Sequence, residues 1–349
     1  MVHAPFLKSL AFRSRRLESK EFSFINSSKE KTMKVVIPQA VVGHIGSWLR
    51  ERLTVNGKIL TAVVGLSGGI DSGLVALICK YHGIPLVCVN MPCHSSAWSM
   101  IRAKNLADEY GLKFMIVETT KAADLIRSQV EAGLDIEEDD ISRNDLAGLY
   151  STSRSPVLDF VAKTVRYRDD EDSSIVKGGM IVGTGNRDED GIVRYFAKRG
   201  DGAVDLSPIA DLHKSEVCQV FEWLATRLAN MNGRMTIYPS ARAILNAKPS
   251  ADLWGGQEQY DEDELGCTYA EVEWVDEFVT DLIPSFFRRS SEQKENWIAD
   301  WVRKGMVTED QVDLIRKITA IEKSTRHKEN SDIPVCRVHT AFMNEPWFE

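Results

Sequence analysis

The feature that most constrains this chain is the stretch Thr61 to Cys79, TAVVGLSGGIDSGLVALIC. Thr61 to Leu66 is a run of β-branched and small apolar residues, the pattern of a strand buried on both faces of a parallel sheet. It breaks into Ser67-Gly68-Gly69-Ile70-Asp71-Ser72 and resumes as an apolar helix from Gly73. Strand, glycine turn and helix start in that order make an anion cradle. Glycines let the backbone approach a phosphate, successive N–H groups converge on it, and the helix dipole favours its charge. Ser67 and Ser72 add hydroxyl donors, and Asp71 is placed to hold a Mg²⁺ that bridges phosphate oxygens. No Lys follows the second glycine, which separates the loop from GxxxxGK[ST] phosphate loops.

The rest of the chain supports a doubly wound α/β fold. Leu86 to Asn90 and Lys113 to Val117 read as further strands, and Gly179 to Val182 as a fourth. Between them lie helical segments at Ala97 to Tyr110 and from Thr119-Thr120 to Ala132. This alternation predicts a parallel sheet flanked by helices, with ligands at the carboxyl ends of the strands. Ile37 to Leu53 has amphipathic helical spacing, and Asn144 to Arg166 is one long helix candidate in which Pro156 marks a kink or the true start. Asp135 to Asp145 reads as a solvated acidic loop, residues 230–247 as an irregular insertion, and the remainder to about Glu322 as helix-rich. Residues 1–32, basic at first and Ser-rich, read as a disordered leader ahead of one domain over 33–349.

Composition narrows the function classes. A net charge of -8 argues against a general nucleic-acid binder, no apolar run reaches membrane-spanning length, so nothing is placed in a bilayer, and a cytoplasmic location is expected. Six scattered cysteines without a CxxC pair suit free thiols in a reducing compartment rather than a sulfur-based metal site.

SGGxDS resembles the PP-loop of the ATP pyrophosphatases, which cleave ATP between its α and β phosphates. With it stand GTGNRDED at 183–190, YFAKRGDGAVDLSPIADLHKSEV at 195–217, KPSADLWGGQEQYDEDELG at 248–266 and TRHK at 325–328. Together these blocks resemble ammonia-dependent NAD synthetases of the NadE type. The resemblance implies a carbon–nitrogen ligase with ATP as co-substrate, Mg²⁺ as cofactor, and deamido-NAD and ammonia as substrates. The nicotinate carboxylate would attack the α-phosphate, releasing pyrophosphate, and ammonia would then displace AMP.

Residue by residue, the resemblance assigns ATP to Gly65, Leu66, Ser67, Gly68, Gly69, Ile70, Asp71, Ser72, Thr184, Lys214 and Ser250. Asp71 and Glu189 would hold the metal, with Asp188 or Asp190 in its place if the extra residue before Tyr195 shifts the pattern. Asp201 would orient ammonia or take up its proton, and Lys214 would contact the phosphates. Arg154, Tyr195, Lys198, Asp201, Asp205, His327 and Lys328 would bind deamido-NAD. Arg154 alone remains of the family's N-x-K-A-R-x-R segment, and the MPCHSSAWS loop lacks the family's Arg. Family members are homodimers, so a homodimer is expected. With no room ahead of the loop for a nitrilase-type glutaminase, nitrogen would come as free ammonia or from a separate amidotransferase subunit. Competing readings are a PP-loop ligase acting on nicotinate mononucleotide, a non-catalytic nucleotide binder, and a tRNA-modifying enzyme.

Overall fold

The computed structural model describes residues 36–137, 140–168, 175–254 and 259–342. The expected leader over 1–32 lies outside the described residues. Helix α1 (Pro38–Leu53) leads into a hairpin of β1 (Thr54–Val55) and β2 (Lys58–Ile59). Asn56 and Gly57 both take positive φ at its tip, the pairing that a tight hairpin turn requires. The sheet then builds through β3 (Thr61–Gly65), α2 (Ile70–Tyr81), β4 (Leu86–Asn90), α3 (Ala97–Tyr110), β5 (Phe114–Ile116) and α4 (Thr120–Leu134). Next come α5 (Arg143–Thr152), α6 (Ser155–Thr164), an antiparallel pair β6 (Arg166–Arg168) and β7 (Ile175–Lys177), and β8 (Gly179–Ile181).

The central sheet has the order β5-β4-β3-β8, and every neighbouring pair is parallel. Ala62 and Val64 point to one face, where they join α1, α2, α3 and residues 217–228 in the main core. Val63, Val87, Val89 and Ile181 point to the other, under Leu158, Val161 and Ala162 of α6. Apolar side chains on both faces of β3 are what its continuous apolar run requires.

A π-helical turn (Arg187–Val193) follows β8, then α7 (Lys214–Met231), α8 (Pro239–Leu245), α9 (Asp261–Leu265), α10 (Tyr269–Leu282), α11 (Ser291–Arg303), α12 (Glu309–Thr325) and α13 (Val338–Phe342). Helices α10 to α12 enclose a second core around Phe286 and Trp301, whose ring centroids lie 5.7 Å apart, with Ile192 and Val193 of the π-turn packed into it. Trp297 and Trp301 are thus packing residues.

Several boundaries differ from the sequence reading. Helix α2 starts at Ile70, not Gly73, so Asp71 and Ser72 lie in its first turn. The single helix expected over Asn144 to Arg166 is two. Pro156, which has no N–H to give an upstream turn, sits in the first turn of α6. Residues 230–247 are not irregular throughout, since α8 starts on Pro239. The acidic stretch ends in a capping box, in which Ser142 Oγ accepts from Asp145 N and starts α5.

Candidate active site

The chain leaves β3 toward β4 on one side and reaches β8 on the other, so a crevice opens beyond their carboxyl ends. The Ser67–Ser72 loop and the Gly183–Glu189 segment both line one cavity of about 730 Å³ there. Within the loop, Gly69 N donates to Ser67 Oγ at 3.2 Å and Ser72 Oγ donates to the Gly69 carbonyl at 3.0 Å. Ser67 N donates to Ser72 Oγ at 3.2 Å, so the hydroxyls hold the turn closed. Gly68 has φ +88°, and a Cβ there would stand 2.2 Å from the Ser99 carbonyl oxygen. Only glycine fits that backbone.

Asp71, Glu189 and Lys214 meet at the centre of the crevice. Lys214 Nζ donates to Asp71 Oδ2 at 2.6 Å and to Glu189 Oε1 at 2.7 Å. Asn186 joins them, donating through Nδ2 to Asp71 Oδ1 at 2.9 Å while its Oδ1 caps the π-turn by accepting from Glu189 N. Burial alone would lower the Lys214 pKa, but the two carboxylates override it and raise it. Burial and the nearby Asp71 charge push Glu189 up to about 7, against the pull of Lys214. Asp71 and Glu189 are hard-oxygen carboxylates of the kind that suit Mg²⁺ chemically, and in this structure the Lys214 ammonium bridges them. Among the described residues, no group of three or more His, Cys, Asp or Glu side chains forms a cluster able to hold a metal.

The run Arg187-Asp188-Glu189-Asp190 offers three acids, and the π-turn separates their roles. Asp188 is fully buried and turned inward, accepting from Lys214 N and from His213 Nδ1, both at 2.7 Å. Asp188 thereby raises the His213 pKa to about 9 although burial works the other way. Asp190 packs over Gly185, where a Cβ would come within 1.8 Å of its Oδ2. Burial and the charges of Glu189, Asp201 and Asp71 hold its pKa well above the usual carboxylate range.

Of the residues expected from sequence, Gly65, Leu66, Ser67, Gly69, Ile70, Asp71, Ser72, Arg154, Thr184, Glu189, Tyr195, Asp201, Lys214 and Ser250 line this cavity. Asp201 Oδ2 accepts from Ser151 Oγ at 2.8 Å. Arg154 reaches the exit of β4, donating to the Met91 carbonyl and to Ser95 Oγ. Lys198, Asp205, His327 and Lys328 stand elsewhere. Asp205 Oδ2 accepts from Ile181 N at the end of β8, and Lys198 Nζ donates to the His327 carbonyl. Lys328 Nζ donates to the Arg194 and Phe196 carbonyls, and His327 Nδ1 faces the Ser324 carbonyl. These four line no part of the cavity wall and instead fasten the segments on which Tyr195 and Asp201 are carried.

Sequence reasoning missed Arg102 and Asp252. Arg102 Nε donates to the Gly68 carbonyl at 3.1 Å and supplies a guanidinium beside the loop that lacks the family's Arg. Asp252 lies within the KPSADL block, whose Ser was singled out and whose Asp was not.

The NAD synthase family matches residues 41–331. The NH(3)-dependent NAD(+) synthetase of Syntrophomonas wolfei is 30% identical over 68% of this chain and 83% of its own length. That of Carboxydothermus hydrogenoformans is 31% identical over 70% and 84%. Among solved structures, NMN synthetase from Francisella tularensis aligns with a TM-score of 0.61 at 22% identity, covering 85% of this chain and 97% of that one. NAD+ synthetase from Burkholderia pseudomallei aligns with a TM-score of 0.53 at 20% identity, covering 85% and 91%. These structural likenesses show a shared fold, and with the family match over residues 41–331 the chain belongs to the NAD synthase family.

Proposed function

We propose that the protein amidates deamido-NAD to NAD, using ATP and ammonia and releasing AMP and pyrophosphate. The observation that carries this reading is the convergence of the SGGIDS loop, Asp71, Glu189 and Lys214 on one crevice between two strand ends. Acyl transfer through an adenylate needs charge neutralisation where the diphosphate leaves, and that is what the crevice offers. Family membership and relatives carrying this activity by name support the choice.

In this reading the α2 N-terminus and the loop hydroxyls receive the departing pyrophosphate. Lys214 contacts the phosphates, Thr184 and Ser250 lie along them, and Asp71 with Glu189 would hold Mg²⁺, which when bound would offset phosphate charge. The nicotinate carboxylate attacks the α-phosphorus, the bond to the bridging oxygen breaks, and an acyl-adenylate forms. Ammonia adds to the acyl carbon and AMP leaves; Asp201 orients the incoming nitrogen or takes its proton. Tyr195 and Arg154, both in the wall of the same cavity, contact the acceptor in this reading.

Exposed apolar side chains on two helices support a homodimer: Ile126, Val130 and Leu134, an i, i+4, i+8 stripe of α4, and Phe160 of α6, with α5 in contact with both helices. No helix among the described residues is long and apolar enough to cross a membrane. A cytoplasmic location and use of free ammonia complete the proposal. The test is incubation with ATP, Mg²⁺, ammonium and deamido-NAD, with detection of NAD and AMP. A parallel reaction holds nicotinate mononucleotide instead, and strong preference for the mononucleotide would overturn the acceptor assignment.

A further inference from the structure

We propose that Asp252 is a positioning residue that latches the 248–254 segment onto the N-terminus of α3 and so presents Ser250 to the nucleotide. This rests on the ATP reading of the cavity and adds to it a residue that no part of that reading assigns. The Asp252 carboxylate accepts from Ser96 N at 3.0 Å, from Ser96 Oγ at 3.0 Å and from Ser99 Oγ at 2.5 Å. Its carbonyl accepts from Ser95 Oγ at 3.4 Å, and Ser95 is in turn held by Arg154. Contacts across 153 to 157 residues of chain thereby converge on one residue.

Three features make this a latch rather than a chance surface contact. The charge sits at the positive end of the α3 dipole and on the N–H of its N-cap residue, where a carboxylate is favoured. Asp252 holds φ +51°, a left-handed backbone that costs a non-glycine residue free energy unless its contacts offset it. Finally, Asp252 N donates to Ser250 Oγ at 3.1 Å, so the anchored residue fixes the neighbour that faces the cavity. Ser95, Ser96, Ser99, Ser250 and Asp252 all line that cavity, and the latch joins two of its walls.

The test separates nucleotide from acceptor and also reads the latch without turnover. Asp252→Ala is expected to raise the KM for ATP by about tenfold or more, the size expected for lost hydrogen bonds to a charged group, with the KM for deamido-NAD little changed. Asp252→Asn, which retains one carbonyl oxygen for Ser96 N, should recover part of the loss. Combining Asp252→Ala with Ser99→Ala should cost less than the two single changes added together. Hydrogen exchange on the ligand-free protein should show faster exchange at Ser96 in Asp252→Ala, whatever reaction the protein catalyses. Equal rises in both KM values, strict additivity with Ser99→Ala, or unchanged exchange at Ser96 would each overturn the latch. Failure of wild-type protein to use ATP, with the exchange result intact, would instead reject the proposed reaction.

Discussion

Lys214 holds Asp71 and Glu189 together, and removing either acid leaves the ammonium bonded to the other. Asp71→Ala and Glu189→Ala should each lower pyrophosphate release more than 100-fold, the scale of removing an electrostatic stabiliser. Their circular dichroism should stay that of wild type; wild-type release in either variant would contradict the assignment. His213 gives a separate pH prediction. Its pKa is raised from 6.5 to about 9 in the fold by Asp188, so the proton binds the native state more tightly. That stability is complete below pH 6.5 and is lost as pH rises through 9, a swing of about 3 kcal/mol. Urea unfolding at pH 6.5 and 9.5 should show the fall, and His213→Asn should remove it. At this scale the sequence displayed Asp71 plainly, because a serine-glycine turn between strand and helix leaves its first-turn acid few places to go. It left Asp188, Glu189 and Asp190 open. Three consecutive acids are chemically alike, and only the π-turn decides which faces His213 and which faces Lys214.

Among the elements, β3 and β4 were legible because fully buried strands are continuous apolar runs, and the structure bounds β4 at Leu86–Asn90 as read. Pro156 signalled a break in one helical pattern, and the break falls beside it. The π-turn itself was not legible: Ile192 and Val193 at its end pack into the second core, a tertiary contact that local spacing does not announce. Nor could spacing show that Lys198 and Lys328 spend their ammonium groups on backbone carbonyls, since that depends on how the 326–328 turn meets the loop after Arg194. The element most exposed to a single change is the phosphate loop. Gly68→Ala combines a left-handed backbone with a collision against the Ser99 carbonyl, so it should cost more than the roughly 1–2 kcal/mol of backbone strain alone. Nucleotide titration should show ATP binding lost, while unchanged affinity would mean that the loop does not carry the phosphates.

For the molecule as a whole, the exposed apolar side chains of α4 and α6 set the assembly prediction. Light scattering should give twice the chain mass for wild type, and Phe160→Asp with Val130→Asp should shift it to the monomer. A wild-type monomer at all concentrations would refute the dimer. The central chemical claim is that the acceptor's own carboxylate oxygen becomes bonded to the α-phosphorus of ATP. Deamido-NAD labelled with oxygen-18 in its nicotinate carboxylate tests this directly when turned over with ATP, Mg²⁺ and ammonium. One labelled oxygen is expected in the phosphate of the AMP released; unlabelled AMP, or label in inorganic phosphate, would rule the acyl-adenylate out.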